Sequence, residues 1–362
     1  MIKTLNSLRF ILILMIMISH SSLPISDGVK AYLGECPVAI FFVISGFVLS
    51  LSYGERLQSE EVSNKKFFLS RVFKIYPLHL LILILFVLGD WRLGILCPWY
   101  QTLAHVLLLQ SWGPTHHFIE IPNGPAWFLS DIFFFYIIFK YLYTWIMKRK
   151  LLWVLIAVGA YMSAYVLMTF MLKEDYADGF VYFYPPFRLI DFTLGILLYR
   201  FCCGQQGKKC IDYVGRYLSS WQTYVADACA ISFLIGMCYL SFHVNPNFRC
   251  AALYWLPSLL IVFYMVASDD GKGWLSACLH SKALLWLGSI SFEMYLLHGL
   301  FVWLVPSLFF HLLGDRGVEY VGYQFATVVV LTVVTAWLAK KIIVVPCYVK
   351  YKHCMEKKLR ET

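Results

Sequence analysis

Charge is scarce in this sequence. Only 14% of its 362 residues are Asp, Glu, Lys or Arg, and 60% are hydrophobic. A soluble domain is about a quarter charged and about half apolar. Mean hydropathy is +0.69. No polar stretch is long enough to fold as a separate soluble domain. The chain therefore reads as one all-α membrane domain, residues 1–346, followed by a short basic tail, residues 347–362.

Several other patterns are missing. No C-x-x-C pair occurs among the eleven cysteines, so a zinc site is not expected. Cys36 and Cys97 both fall where they can face outward, and sequence alone does not fix whether they pair. No small-x-small site follows the first apolar run, so a cleaved signal is not expected there. The net charge of +9 might point to nucleic acid, but no basic, aromatic-interleaved groove is present. The basic residues sit in short loops between apolar runs instead. The two halves show no repeat with paired broken helices, as an inverted-repeat transporter would.

What is present is a series of apolar runs. Spanning the hydrocarbon takes about 20 mostly apolar residues. Ten runs qualify, at roughly 5–22, 34–53, 75–90, 126–146, 151–172, 185–202, 224–242, 251–268, 284–310 and 320–345. A shorter run at 101–111 reads as an interfacial or re-entrant helix. With the N-terminus cytoplasmic, the inside loops hold Arg56, Lys65 and Lys66, then Lys148, Arg149 and Lys150. Next come Arg200, Lys208, Lys209 and Arg216, then Lys272 and Lys282. The outside loops hold Asp27, Glu120, Glu174, Asp175, Asp178 and Asp315. This asymmetry predicts about ten transmembrane helices with both termini cytoplasmic, and a bacterial inner membrane suits it.

Ionisable groups inside such spans are costly and tend to mark function. Arg9 and His20 lie eleven residues apart on the first run. At about 100° and 1.5 Å per residue they point the same way within about 20°, separated by about 16 Å along the axis. One helix face thus carries a cation at its inner end and an imidazole near its outer end. Arg71 and Lys74, at i and i+3, share a face at the mouth of the third run. Two cations there suit a phosphate-rich ligand, and ordinary positive-inside flanking produces the same pattern. Ser45-Gly46 lies in mid-membrane, where it admits either a neighbouring helix or a ligand. Asn123 is placed to cap the fourth run and Pro125 fits its first turn. Asp131 follows Trp127 by one turn, inside the apolar run. Arg188 and Asp191 form an i, i+3 pair that can simply neutralise itself. Glu293 and His298, five residues apart, are about 140° apart on a helix and do not share a face.

The order of these segments carries more than any one of them. Leu5-Asn6-Ser7-Leu8-Arg9 precedes His20. FFVISGF follows at 41–47, then Arg71-x-x-Lys74-Ile75-Tyr76-Pro77. GPAWFLSDIFFFY comes at 124–136, FRLIDFTLG at 187–195 and SISFEMYLLH at 289–298. In this order the chain resembles the acyltransferase 3 family of integral membrane acyltransferases from residue 5 to about residue 345. The resemblance implies about ten spans. It also implies transfer of acetyl or other acyl groups, usually from acyl-CoA, to hydroxyls of surface polysaccharides, antibiotics or lipids. It makes His20 the residue essential for transfer and gives Arg9, Arg71 and Lys74 to the CoA donor. The chain departs from the family pattern at Lys74, where a second Arg is usual, and at Ala39, where an acidic residue is common. It offers only Asp131 where a Glu pair is frequent. These departures leave the acid partner of His20 open.

The expectation is therefore a membrane-bound O-acyltransferase whose donor is acetyl-CoA and whose acceptor is a glycan or lipid-linked glycan. His20 serves as general base, with Asp131 or Glu293 orienting it. Ser45, Trp127, Arg188 and His298 are expected to face substrate. No permanently bound cofactor, metal or nucleic acid is expected. The rival is a proton-coupled transporter or flippase of a polysaccharide or lipid precursor, with a His–carboxylate relay. A relay favours ionisable groups stepping through the bilayer, whereas the cations here gather at one mouth.

Overall fold

The computed structural model describes residues 2–95, 97–113, 116–172, 181–217, 221–270 and 273–361. Of the loop charges named above, Glu174, Asp175, Asp178 and Lys272 lie outside the described residues. The described chain is almost entirely helical and contains no strand. That is what a hydrocarbon environment requires of an apolar chain, because a helix satisfies its own backbone N–H and C=O groups.

We number the principal helices in chain order. They are α1 (Lys3–Ser19), α2 (Asp27–Leu49), α3 (Asn64–Arg92), α4 (Trp99–Val106), α5 (Trp127–Lys148), α6 (Leu151–Met171), α7 (Pro185–Cys203) and α8 (Gln205–Tyr217). They continue with α9 (Trp221–Ser241), α10 (Trp255–Ala267), α11 (Trp274–Leu279), α12 (Lys282–Ser289), α13 (Ser291–Leu313), α14 (Val321–Ala339) and α15 (Val345–Glu361). Every one of the ten expected runs contains a helix. Seven helical stretches among the described residues are long and apolar enough to cross a membrane. The other three are α1, with 17 residues, α10, with 13, and α7, which carries Arg188, Asp191 and Arg200. The short run near residue 101 forms α4 and a 3-10 turn at Gln110–Trp112 rather than a span. His105 fixes it: its ring nitrogens face the carbonyls of Gln101 and Ile119, and His79 Nε2 faces the His105 carbonyl at 2.9 Å.

Burial sorts the helices into a centre and a periphery. In its most apolar window α2 is 67% buried, against 17% for α6 and for α9, so α2 is a core helix and the other two present most of their surface outward. The core is aromatic. Phe42 stacks on Phe128 at 4.5 Å between ring centroids, and Phe135 on Phe192 at 4.8 Å. Such pairs contribute about 0.5–1.5 kcal/mol beyond burial.

Two glycines let α2 and α7 touch along their backbones. A Cβ on Gly46 would lie 2.1 Å from the Phe192 carbonyl, and one on Gly195 would lie 2.1 Å from the Val43 carbonyl. The close approach that Ser45-Gly46 permits is therefore a helix contact on the glycine side. The polar start of α1 is also explained by packing. Thr4 Oγ1 donates to the Met265 carbonyl at 2.6 Å and Asn6 Nδ2 to the Leu285 carbonyl at 2.8 Å. These bonds tie α1 to α10 and α12 and so set the position of Arg9, less than one turn further on.

Asn123 does not cap its helix. Its φ of −135° and ψ of 87° lead into a 3-10 turn, Gly124–Ala126, with Pro125 in the first turn, and its side chain makes no capping bond. All eleven cysteines are free. Cys36 is buried and Cys97 half-buried, so the pairing left open above is not made.

Candidate active site

Two chambers lie in the bundle, named inner for the one beside Arg9 at the start of α1 and outer for the one beside His20 at its end. The inner chamber, about 490 Å³, opens between α1, α3, α13 and the start of α15. Arg9, Arg71, Lys74 and Lys340 line it, with Glu293 as the one carboxylate among the lining residues. The cations are held by rings. The Arg71 guanidinium sits 4.6 Å from the Tyr53 ring centroid, and Lys74 Nζ 4.4 Å from that of Tyr348. Cation–π contacts of this kind contribute about 0.5–2 kcal/mol and leave hydrogen-bond donors available for a ligand. The Arg71 Nε is buried and makes no hydrogen bond. Further in, the lining turns apolar, with Phe41, Phe128 and Ile132, and Ser45 beside them. The Ser45 hydroxyl donates to the Phe41 carbonyl at 2.8 Å. A charged mouth leading to an apolar interior fits a long ligand with a polyanionic head and an uncharged arm.

The outer chamber is about 310 Å³ and contains His20. It is walled by Trp127, Tyr182, Phe183 and Pro125, with Glu35 and Glu120 among its polar groups. Trp127 packs 5.1 Å from Tyr182 and 4.9 Å from Phe183 between centroids. Glu35 is already engaged: Arg249 grips both its oxygens at 2.8 Å and the Tyr254 hydroxyl donates to it at 3.2 Å. It is a fixed part of the wall.

His20 caps α1 in helical conformation, its N–H bonded to the Ile16 carbonyl at 3.1 Å. The helix thus runs without a break from Arg9 to His20, and the separation of about 16 Å holds. The partner of the imidazole is His298. His20 Nδ1 stands 3.0 Å from His298 Nε2, with the ring planes 7° apart. His298 is fully buried, and its Nδ1 lies 2.6 Å from the Tyr295 carbonyl. Partner chemistry fixes the protons. A carbonyl only accepts, so His298 Nδ1 donates to it. In a neutral ring Nε2 is then an acceptor, and His20 Nδ1 must donate to it. With both rings neutral, His20 Nε2 is left with its lone pair.

Three expectations change here. Asp131 and Glu293 do not orient His20. Asp131 is fully buried, lines neither chamber, and neither of its oxygens makes a hydrogen bond. Glu293 faces the inner chamber with Lys74 and Lys340, on the other side of α13 from His298, as their spacing of about 140° requires. His298 holds the His20 imidazole rather than lining a chamber. Arg188 is also not a chamber residue. It is buried against Asp191 at 3.2 Å and donates through Nε to the Tyr182 carbonyl at 2.6 Å, so it supports an outer-chamber wall from behind. Ser45 and Trp127 do line chambers, in opposite halves. Glu35, Tyr182, Tyr295, Lys340 and Tyr348 also line the chambers, and no local sequence pattern marks them for it. Glu35 lies one turn before Ala39, so a carboxylate is present four residues from the expected place.

The family model that describes an acyltransferase domain, acyltransferase 3, matches residues 2–340. The chain belongs to the acyltransferase 3 family. Among curated relatives, Acyltransferase MdmB of Streptomyces mycarofaciens is 30% identical over 283 residues, covering 74% of this chain and 67% of that protein. A protein of Acidianus two-tailed virus with the provisional name acetyltransferase ORF330 is 26% identical over 287 residues, covering 76% of this chain and 74% of its own. No solved structure matches the chain. This member of the acyltransferase 3 family is thus a multi-pass membrane acyltransferase. The family match takes in Arg9, His20, Arg71, Lys74, Glu293, Tyr295, His298 and Lys340.

Proposed function

We propose that this acyltransferase moves an acetyl or similar short acyl group from acyl-CoA to a hydroxyl of a glycan or glycolipid, in a bacterial inner membrane. The basic loops support a reading with about ten spans in which the inner chamber and both termini face the cytoplasm. Arg9, Arg71, Lys74 and Lys340 hold the CoA phosphates, Arg71 as the forked donor. The apolar interior takes the pantetheine arm and the acyl group. The aromatic walls of the outer chamber, Trp127, Tyr182 and Phe183, stack on the acceptor's ring faces.

His20 Nε2 accepts the proton of the acceptor hydroxyl as its oxygen attacks the acyl carbonyl carbon. The C–S bond breaks, and the same proton passes to the CoA sulfur. The products are an O-acyl ester and the CoA thiol. General-base help of this kind is worth about 10²–10⁴-fold. One observation carries the reading: a cationic chamber and a base with a directed lone pair lie at opposite ends of one face of α1.

The test is acyl transfer in membranes carrying wild type, His20→Ala or Arg71→Ala, with radiolabelled acetyl-CoA and extracted surface glycans. Label is expected in glycan with wild type and not with His20→Ala. With Arg71→Ala it is expected only at raised donor concentration. Equal label in all three at normal protein levels would remove His20 from the chemistry.

A further inference from the structure

The two chambers share one lining residue, Tyr295. It is 5% exposed. Its hydroxyl donates to the Pro125 carbonyl at 2.9 Å, and Pro125 is a wall of the outer chamber. Its ring packs 5.1 Å from Phe128, a wall of the inner chamber. The ring is therefore held at both edges across the line from the cationic mouth to His20. The cations are on one side of it and the imidazole is on the other.

We propose that the Tyr295 side chain is the barrier between donor and acceptor chambers, and that its rotation admits the thioester to His20. The inference rests on the proposed function, and its physical basis is local. Rotating the ring breaks one hydrogen bond, to Pro125, and two ring contacts, with Phe128 at 5.1 Å and with His298 at 5.5 Å between centroids. The Pro125 bond and the Phe128 contact do not touch the His20–His298 pair, and the His298 contact is a ring packing rather than a hydrogen bond. The hydrogen bonds of His298 run to the backbone carbonyl of Tyr295 and to His20, not to the phenol, so both can persist while the ring moves. Donor binding can drive the movement, because contacts made at the cationic mouth are available to offset the cost of turning the ring aside. The closed barrier keeps water of the outer chamber from the bound thioester. Without it, water adds to the acyl carbon, the C–S bond breaks, and carboxylic acid and CoA thiol are released with no acceptor consumed.

The experiment uses the full chain in oriented membrane vesicles, with Ser45→Cys as a reporter in the inner chamber. A membrane-impermeant thiol reagent is applied from either side, and labelling is counted above that of the Ser45 parent. With Tyr295 intact, the reporter is expected to label from the inner side only. With Tyr295→Ala it is expected to label from both, and with Tyr295→Phe, which keeps the ring, outer labelling stays under a fifth of the Ala value, that is, closer to the intact protein. In the same membranes, acceptor-independent acetyl-CoA hydrolysis by the Ser45 parent is expected to rise at least about tenfold with Tyr295→Ala, a change of about 1.4 kcal/mol in barrier. Outer labelling with Tyr295 intact overturns the barrier. So does unchanged outer labelling in a Tyr295→Ala protein that still labels normally from the inner side. Hydrolysis at background in every variant counts against acyl-CoA as donor and leaves the labelling result to decide the barrier.

Discussion

Replacing His298 tests the assignment of the catalytic lone pair. In the wild type, His20 Nδ1 donates to His298 Nε2 at 3.0 Å, and His298 Nδ1 faces the Tyr295 carbonyl at 2.6 Å. His298→Ala removes the acceptor, and the ring of His20 is free to turn or to carry its proton on Nε2, where it blocks the base. A buried hydrogen bond whose partner is left unsatisfied costs about 1–3 kcal/mol. At about 1.4 kcal/mol per decade, kcat falls about 5- to 150-fold. The acyl-CoA KM stays within about twofold, since His298 lines neither chamber. His298→Gln restores a carbonyl oxygen that can accept and is expected to recover part of the loss. His298→Lys offers only donors and is expected to recover none. The assay is steady-state transfer of labelled acetyl to a glycan acceptor, with kcat and KM taken separately at matched protein levels. An Ala variant that keeps full kcat, or a Lys variant that equals Gln, would refute the tautomer argument.

Three further outcomes follow from the same geometry. Arg71→Ala or Lys74→Ala removes a charged hydrogen-bond donor, worth about 1.5–3 kcal/mol, and is expected to raise the acyl-CoA KM about 10- to 150-fold. Titration of initial rates against donor concentration checks this, and an effect confined to kcat would remove these residues from donor binding. Truncation after residue 344 deletes Tyr348 from the ring contact with Lys74, at 4.4 Å, and is expected to raise the same KM at least about threefold while the helices remain folded. Circular dichroism with donor titration distinguishes that from unfolding. Gly46→Ala places a Cβ 2.1 Å from the Phe192 carbonyl, so α2 and α7 must part. Overpacking of this kind costs about 1–3 kcal/mol, and a lowered melting temperature in detergent, with Ser45→Ala near wild type, is the expected signature.

The helical runs were legible because apolarity along a helix is a local property. Arg188–Asp191, at i and i+3, was legible as a self-neutralising pair for the same reason, and helical geometry alone put Glu293 and His298 on different faces. Asn123 misled because its capping role depended on a backbone that instead bends into a 3-10 turn. The partner of His20 was not legible. It lies 278 residues away, and charge alone points to a carboxylate where the contact is between two imidazoles. Lys340 and Tyr348 read as membrane flank and tail, since their position over the mouth of α3 is a matter of tertiary packing. The two chambers appear only when α1, α2, α5 and α13 are assembled, because each of these helices supplies only part of the lining.

The inner chamber takes Arg9 from near the beginning of the described chain and Lys340 and Tyr348 from near its end. Tyr351 closes the same region by donating to the Lys66 carbonyl across 285 residues. During synthesis, α1 to α13 can all be inserted while this mouth is still open on one side. A ribosome-bound chain therefore has the His20–His298 pair in place before the cationic chamber is complete, and that chamber closes only with the last helices.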